Sequence, residues 1–396
     1  MTQLRIKLGI LNPSDLSKGN VSGGSTGFVR NILPYLNVER IIIFGIGLND
    51  TIPWKIHLLE PNAKFISICN LKSLSKIPMR LRVLLCYFRS RKKILNSGIN
   101  LLYIQMPECC LPFLNNKKGI PVIYQKHGPA NPVAKSKYII GRTFFFKKFF
   151  EFALKLIYKK AQWIIAIDRH TLQQIIKYGG KNRSSLLMNA VDMKKFFPDR
   201  ILRNNARKQF GLNEDDFAII FVGRIEKTKG PESLLDCIPF LKERKCSFHI
   251  FFAGEGTYKP YLEKCAILKQ YDADVTFLGH VVHEKLSYFY NMADVLVLPS
   301  ETEGVPMVIL EALACGTPVV ASNVGSIHDI ILNGINGIVI DDLHPEKLTK
   351  AIVEILSKKI ENKVITKSVE PFNVNNFIKS FDTIISNIFK NRNKNY

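Results

Sequence analysis

Short apolar runs alternate with longer amphipathic stretches along the chain. Residues 4–11 read as a buried strand, followed by a Gly/Ser/Asn-rich loop over 12–27 and a helix over about 28–36. Further strands are predicted at 39–45, 65–68, 100–105, 121–125 and 163–167, with helical patterns at 79–97, 142–160 and 169–178 between them. Strands separated by helices imply parallel β-α-β units with right-handed crossovers.

The pattern restarts after Pro198. A polar, basic stretch over 199–208 precedes an apolar strand at 217–222. Then come helix 229–243, strand 248–253, helix 258–270, strand 275–278, helix 283–292, strand 294–298, helix 306–315 and strands 318–321 and 337–340. The fold class is therefore α/β, with two Rossmann-like domains joined near 195–205: residues 1–197 and 198–373.

Composition agrees with an ordinary globular protein and adds one asymmetry. The 396 residues suggest two or three domains, and 46% hydrophobic with 22% charged residues excludes wholesale disorder and fibrous classes. Residues 1–200 hold 33 basic and 9 acidic side chains, a formal +24, while 201–396 hold 23 and 24, a formal −1. Charge this lopsided points to an anionic partner for the first half, a membrane surface or a nucleic acid. No recognisable nucleic-acid-binding module is present, so the membrane surface is favoured. The helices at 79–93 and 141–160 carry about ten Lys and Arg beside apolar faces, the latter with a polar stripe at 147, 148, 151, 155 and 159. Each such cation near an anionic leaflet contributes ~1 kcal/mol; packing of these helices with a solvated basic face is the alternative.

Eight cysteines without a C-x-x-C pair fit a reducing compartment rather than a disulfide or zinc framework. The start lacks the long apolar core of a signal peptide, and no run of ~18 apolar residues occurs. A cytoplasmic protein, peripheral at the inner face of the membrane, is the expectation.

Two segments carry candidate chemistry. In the first, Phe221 to Gly230, a strand end is followed by Gly223, then Arg224 and Lys229, then a helix. A glycine permits close approach of backbone, Arg offers a bidentate fork and Lys a point charge, and a helix N-terminus favours anions. That is a diphosphate cradle; a solvated turn with two surface cations is the alternative. In the second, Ser300 to Ser322, Pro306 suits the first turn of a helix and Gly316 its C-terminal cap. Glu303 sits in the loop at the helix start, and Glu311 is the one carboxylate on an otherwise apolar helix, where it needs a partner; ribose hydroxyls would serve.

These two segments resemble the hallmark region of glycosyltransferase family 4, retaining, metal-independent enzymes of the GT-B fold, in which two Rossmann-like domains face each other across a cleft. The resemblance runs from about Leu4 to Ile388. Gly23 and Gly24 ahead of a helix are similar to the family's N-terminal glycine loop, which approaches the donor phosphates. Asn189 to Asp192 with Phe196 and Pro198 is similar to the interdomain pattern, with Ala190 where Gly is usual. Gly254 to Gly256 and Asn333 to Gly337 are similar to family turns. Asp168 ends a strand that usually ends in Ser, and Asp329 stands where Glu is expected. The last helix, about 374–389, would cross back onto the first domain, so that 374–396 completes it.

The resemblance implies transfer of a hexosyl group from a UDP- or GDP-linked sugar to a lipid-linked or saccharide acceptor, in cell-surface polysaccharide or glycolipid synthesis of bacterial type, with no cofactor and no metal. Arg224 and Lys229 would bind the diphosphate, Glu303 the donor sugar and Glu311 the ribose. Backbone around Val305, Pro306, Met307 and Val308 would add phosphate donors, and Gly223 room for them. His127, at the end of a predicted strand, is similar to the family's His-Gly at the reaction centre; a structural histidine is the alternative. Asp272 and Asp274 have the form of a metal-binding D-x-D, but their place ahead of strand 275–278 argues against it. The remaining histidines, His283 among them, show no ligand spacing and read as structural or surface residues. Competing readings are a non-catalytic, membrane-associated GT-B subunit, to which Ala190, Asp168 and Asp329 lend support, and a nucleotide-sugar epimerase or a phosphorylase.

Overall fold

The computed structural model describes residues 5–16, 24–47, 51–70, 79–127, 144–245 and 247–393. They fall into two compact units, Met1–Asn189 with Asn375–Tyr396, and Ala190–Val374.

The first unit is built on eight strands: β1 (Lys7–Leu11), β2 (Arg40–Gly47), β3 (Ile56–Glu60), β4 (Ala63–Asn70), β5 (Leu101–Ile104), β6 (Val122–Lys126), β7 (Trp163–Ala166) and β8 (Ser184–Leu186). Their order is β3-β4-β2-β1-β5-β6-β7-β8, parallel throughout except for the β3–β4 pair. The central strands are buried on both faces, which requires near-continuous apolar sequence and is why the pattern shows them. β3 and β8 were not expected. β3 is an antiparallel edge strand whose Ile56 and Leu58 lie exposed, and β8 reads Ser-Ser-Leu, with no apolar run to mark it.

The helix expected at 28–36 spans Gly24–Ile32 and closes in a 3-10 turn at Leu33–Tyr35. The helix Val374–Asn393 packs on this unit: Phe377 meets Phe28 edge-on at 5.0 Å, and Phe381 lies 5.0 Å from Tyr103.

The second unit has six strands, β9 (Phe217–Val222), β10 (Phe248–Ala253), β11 (Val275–Gly279), β12 (Val295–Leu298), β13 (Val319–Ser322) and β14 (Gly337–Ile340), all parallel, in the order β11-β10-β9-β12-β13-β14. The long helix expected at 229–243 is broken into a 3-10 turn, Lys227–Lys229, and short helices Pro231–Leu235 and Ile238–Glu243. Pro231 and Pro239 both lack the amide hydrogen a continuous helix would need.

The stretch after Pro198 is a helix, Arg200–Gln209, rather than a linker. Asp199 caps it by accepting from the amides of Ile201 and Leu202. Arg203 and Arg207 reach Asp294 at 2.6 and 3.0 Å, and Asp294 also accepts from the Ala218 amide at 2.7 Å. Phe196 packs against His283 and Tyr290, and Asn291 donates to the Phe197 carbonyl, so residues 190–197 belong with the second unit.

Asp294→Ala leaves the buried Arg207 without its carboxylate. It is expected to destabilise the chain by ~3 kcal/mol, read by denaturant unfolding, whereas Arg203→Ala, on the exposed side of the same carboxylate, costs less.

Candidate active site

In the second unit the strand order reverses between β9 and β12, the place where ligands of open parallel sheets bind. The loops leaving these two strands are sewn together. The Glu301 amide donates to the Thr228 carbonyl at 2.9 Å. Gly230 has a left-handed backbone (φ +66°), and a Cβ there would lie 2.0 Å from the Pro299 carbonyl oxygen, so no other residue fits. Gly254 packs as closely on the carbonyl of Gly223, where a Cβ would fall 1.8 Å away.

This stitching brings Lys229 and Glu303 together, 74 residues apart in sequence, with Lys229 Nζ 2.6 Å from Glu303 Oε1. The buried Ser300 hydroxyl donates to the same oxygen at 2.8 Å. Glu303 Oε2 has no hydrogen-bond partner among the described residues. Arg224 follows Gly223 at the end of β9, exposed and without an ion-pair partner among the described residues. The helix Met307–Ala314 begins in the loop after β12. Pro306 takes the N-cap position rather than the first turn, and no side chain caps this helix, so its first amides and positive dipole end are not neutralised by a cap. Pro306 has no amide hydrogen; of the residues expected to donate there, only Val305, Met307 and Val308 carry one.

Glu311, 2% exposed on that helix, is held from two sides. His283 Nε2 lies 2.9 Å from Oε1, and the Tyr290 hydroxyl donates to Oε2 at 3.0 Å. Its partners therefore include groups of the chain itself, and His283, expected to be a structural or surface residue without a site role, joins the site. Burial disfavours the imidazolium of His283, but the charge and hydrogen bond of Glu311 more than offset this and raise its pKa. Nothing local in the sequence signals the pairing, which spans 28 residues; the only hint is the demand of a carboxylate on an apolar helix.

In the first unit Gly23 lies outside the described residues, and Gly24 opens the first helix. His127 follows β6, with Nε2 enclosed and lacking a hydrogen-bond partner among the described residues, and burial pushes its pKa down to about 3, so the ring is neutral. It packs 5.4 Å from the Phe28 ring. Around the β1/β5 reversal sit polar side chains not anticipated from the sequence. Asn12 donates to Gln105 at 2.9 Å, Tyr103 to Gln125, and buried Lys126 to Gln174 at 3.2 Å. Burial lowers the Lys126 pKa against the pull of Asp168. Asp168 itself caps the helix Arg169–Ile175 through the Thr171 amide and hydroxyl, so an acid where Ser is usual has a structural reason. Asp274 pairs with Lys242 at 2.7 Å and Asp272 is exposed.

Comparison with known proteins identifies the family. The family model described as Glycosyltransferase Family 4 matches residues 60–195, and the one described as Glycosyl transferases group 1 matches 203–370. An uncharacterized glycosyltransferase of Methanocaldococcus jannaschii is 27% identical over 354 residues, 88% of this chain and 89% of that protein. A GDP-mannose-dependent alpha-(1-6)-phosphatidylinositol monomannoside mannosyltransferase of Mycolicibacterium smegmatis is 29% identical over 213 residues, 52% of this chain. That match and the one to a second Methanocaldococcus jannaschii glycosyltransferase span 56% and 39% of the relatives' own lengths. The sucrose-phosphate synthase structure from Thermosynechococcus elongatus superposes with a TM-score of 0.82 at 20% identity, covering 98% of this chain and 100% of that one, a likeness of fold. With two parallel-sheet units and both family models matched in turn, the chain belongs to the GT-B glycosyltransferases of group 1 and family 4.

Proposed function

We propose that the protein is a retaining, metal-independent hexosyltransferase that takes its sugar from a UDP- or GDP-linked donor and passes it to a lipid-linked saccharide in cell-surface polysaccharide or glycolipid synthesis. The observation that carries this is the Lys229–Glu303 pair at the β9/β12 reversal, with Arg224 on the loop leaving β9 and an uncapped helix N-terminus on the loop leaving β12. Cleavage of the anomeric C–O bond places negative charge on the departing diphosphate. Two cations and a helix dipole carried by these strand-end loops stabilise that charge. Glu303, held by Lys229 and Ser300 through one oxygen, keeps the other for hydroxyls of the donor sugar. The acceptor hydroxyl attacks the anomeric carbon from the face the diphosphate leaves, and its proton passes to a phosphate oxygen of the leaving group. The retained configuration follows from that same-face path. His127, neutral and at the end of β6, is suited to hydrogen-bonding rather than to charge.

The acceptor's lipid anchor is read from the first unit. On the helix Met79–Leu95, Leu81, Leu85 and Phe88 are exposed beside exposed Arg89 and Lys92. On Phe144–Lys160, Phe149 and Phe152 are exposed beside Lys148, Lys155 and Lys159, so apolar side chains flank the polar stripe on the exposed face. Arg80 lies 5.4 Å over the Phe150 ring and ties the two helices together. Apolar side chains set among cations match the boundary of an anionic bilayer, here the inner face of the cell membrane. No helix among the described residues is long and apolar enough to cross one. Several of the cations in this region are engaged elsewhere: Arg91 donates to the Asn115 carbonyl at 2.6 Å, Lys160 to the Asn115 side chain at 3.2 Å, and Lys93 and Lys155 lie 3.8 and 5.0 Å over the Trp54 and Tyr178 rings.

Lys229→Ala and Arg224→Ala should each lower kcat/KM by at least ~10²-fold, the usual scale for removing a donor to developing charge. Turnover of a UDP- or GDP-sugar by the purified protein measures this, and near-normal rates would refute the diphosphate assignment.

Activity should survive EDTA, since fixed cations replace the metal. Complete loss restored by Mn²⁺ or Mg²⁺ would overturn metal independence.

Binding to vesicles should rise with anionic lipid and fall as salt shortens the Debye length from ~10 Å at 0.1 M to ~3 Å at 1 M. Arg89→Glu with Lys92→Glu should release the protein while donor hydrolysis persists. Equal sedimentation with neutral and anionic vesicles would exclude this surface.

A further inference from the structure

We propose that His283 and Tyr290 are positioning residues for nucleotide recognition: together they fix the Glu311 carboxylate for the ribose of the donor. The inference rests on the reading of Glu311 as the ribose contact. It concerns residues whose polar side-chain contacts are to the Glu311 carboxylate.

An ionised carboxylate offers about four acceptor positions. At Glu311 the described protein groups fill one on each oxygen, His283 at 2.9 Å and Tyr290 at 3.0 Å. One further position per oxygen suits the two adjacent hydroxyls of a ribose. A Glu side chain turning freely would offer those positions only part of the time. Contacts to both oxygens hold it in one orientation, so less entropy is lost when the ligand is ordered.

The two holders are themselves fixed. The Tyr290 ring is fully buried, lies 6.0 Å from Phe196, and its backbone carbonyl accepts from the Thr317 hydroxyl at 2.6 Å. Its phenol is pushed well above its ordinary pKa by burial and by the neighbouring carboxylate, so it acts only as a neutral donor. His283 sits in the 3-10 turn His283–Lys285 after β11, with its ring edge-on to Phe196 at 5.3 Å. The charged groups that act on it are Glu311 and Glu284, which favour the imidazolium, and Lys195, which opposes it. His283 and Tyr290 are the hydrogen-bonding partners that a carboxylate 2% exposed requires.

The test is discrimination between ribose and deoxyribose, which a merely structural role would not move. Calorimetric titration with UDP, GDP and ADP identifies the tightest nucleotide, and its affinity is compared with that of its 2′-deoxy analogue. The wild-type chain should favour the ribonucleotide by ~10-fold or more, the scale of a hydrogen bond to a charged group. Tyr290→Phe and His283→Ala should each reduce that preference to below about threefold, as should Glu311→Gln. Each variant is read separately after its melting transition shows a folded protein, so misfolding of one leaves the other as the test. If Glu311→Gln loses the preference while Tyr290→Phe and His283→Ala keep it, the positioning role is overturned. If Glu311→Gln keeps it, or none of the three nucleotides binds, the ribose reading itself fails and this inference fails with it.

Discussion

A parallel sheet covered on both faces leaves polar side chains one place to work, the ends of its strands. In the second unit β9 and β12 are buried along nearly their whole length, and their loops depart at the point where the strand order reverses. Two loops leaving side by side must satisfy backbone groups that no sheet ladder reaches. The Glu301–Thr228 backbone bond meets that need, and the close contact of Gly230 with Pro299 and the Lys229–Glu303 ion pair join the same two loops. The catalytic candidates are therefore also what closes the end of the sheet. This explains why cation, carboxylate and helix start fall within reach of one another.

The two carboxylates differ in how they are held. Glu303 is contacted through a single oxygen, on the more open side of the site, while Glu311 lies 2% exposed and is contacted through both. An ion pair at the partly solvated position contributes little to stability and is easily exchanged. A buried pair is costly to break. The two carboxylates thus differ in freedom: one is held through a single oxygen and the other in a fixed orientation.

Charge is distributed with the same economy. The first 200 residues hold nearly the entire positive excess, yet many of those cations serve the fold: Arg80 pairs with Glu108 and Arg91 binds a loop carbonyl. Those left over, such as Arg89 and Lys92, lie beside exposed Leu85 and Phe88. Net charge read from composition overstates what a surface offers, because it cannot separate structural cations from solvated ones.

The sequence alone determined the α/β class, the two-unit division and most central strands, and it singled out Gly223, Arg224, Lys229, Glu303 and Glu311 as candidates. Each is set by a local rule: burial on both faces demands continuous apolar runs, and tight turns at strand ends demand glycine at a given place. It did not reveal β3, β8 or the helix Arg200–Gln209, whose stability comes from an edge position, a three-residue pairing and a carboxylate more than 80 residues away. Nor did it show that His283 and Tyr290 hold Glu311, or that Asn12 meets Gln105. Those contacts join residues that are distant in the chain, and only the strand order, a property of the folded sheet, brings their ends together.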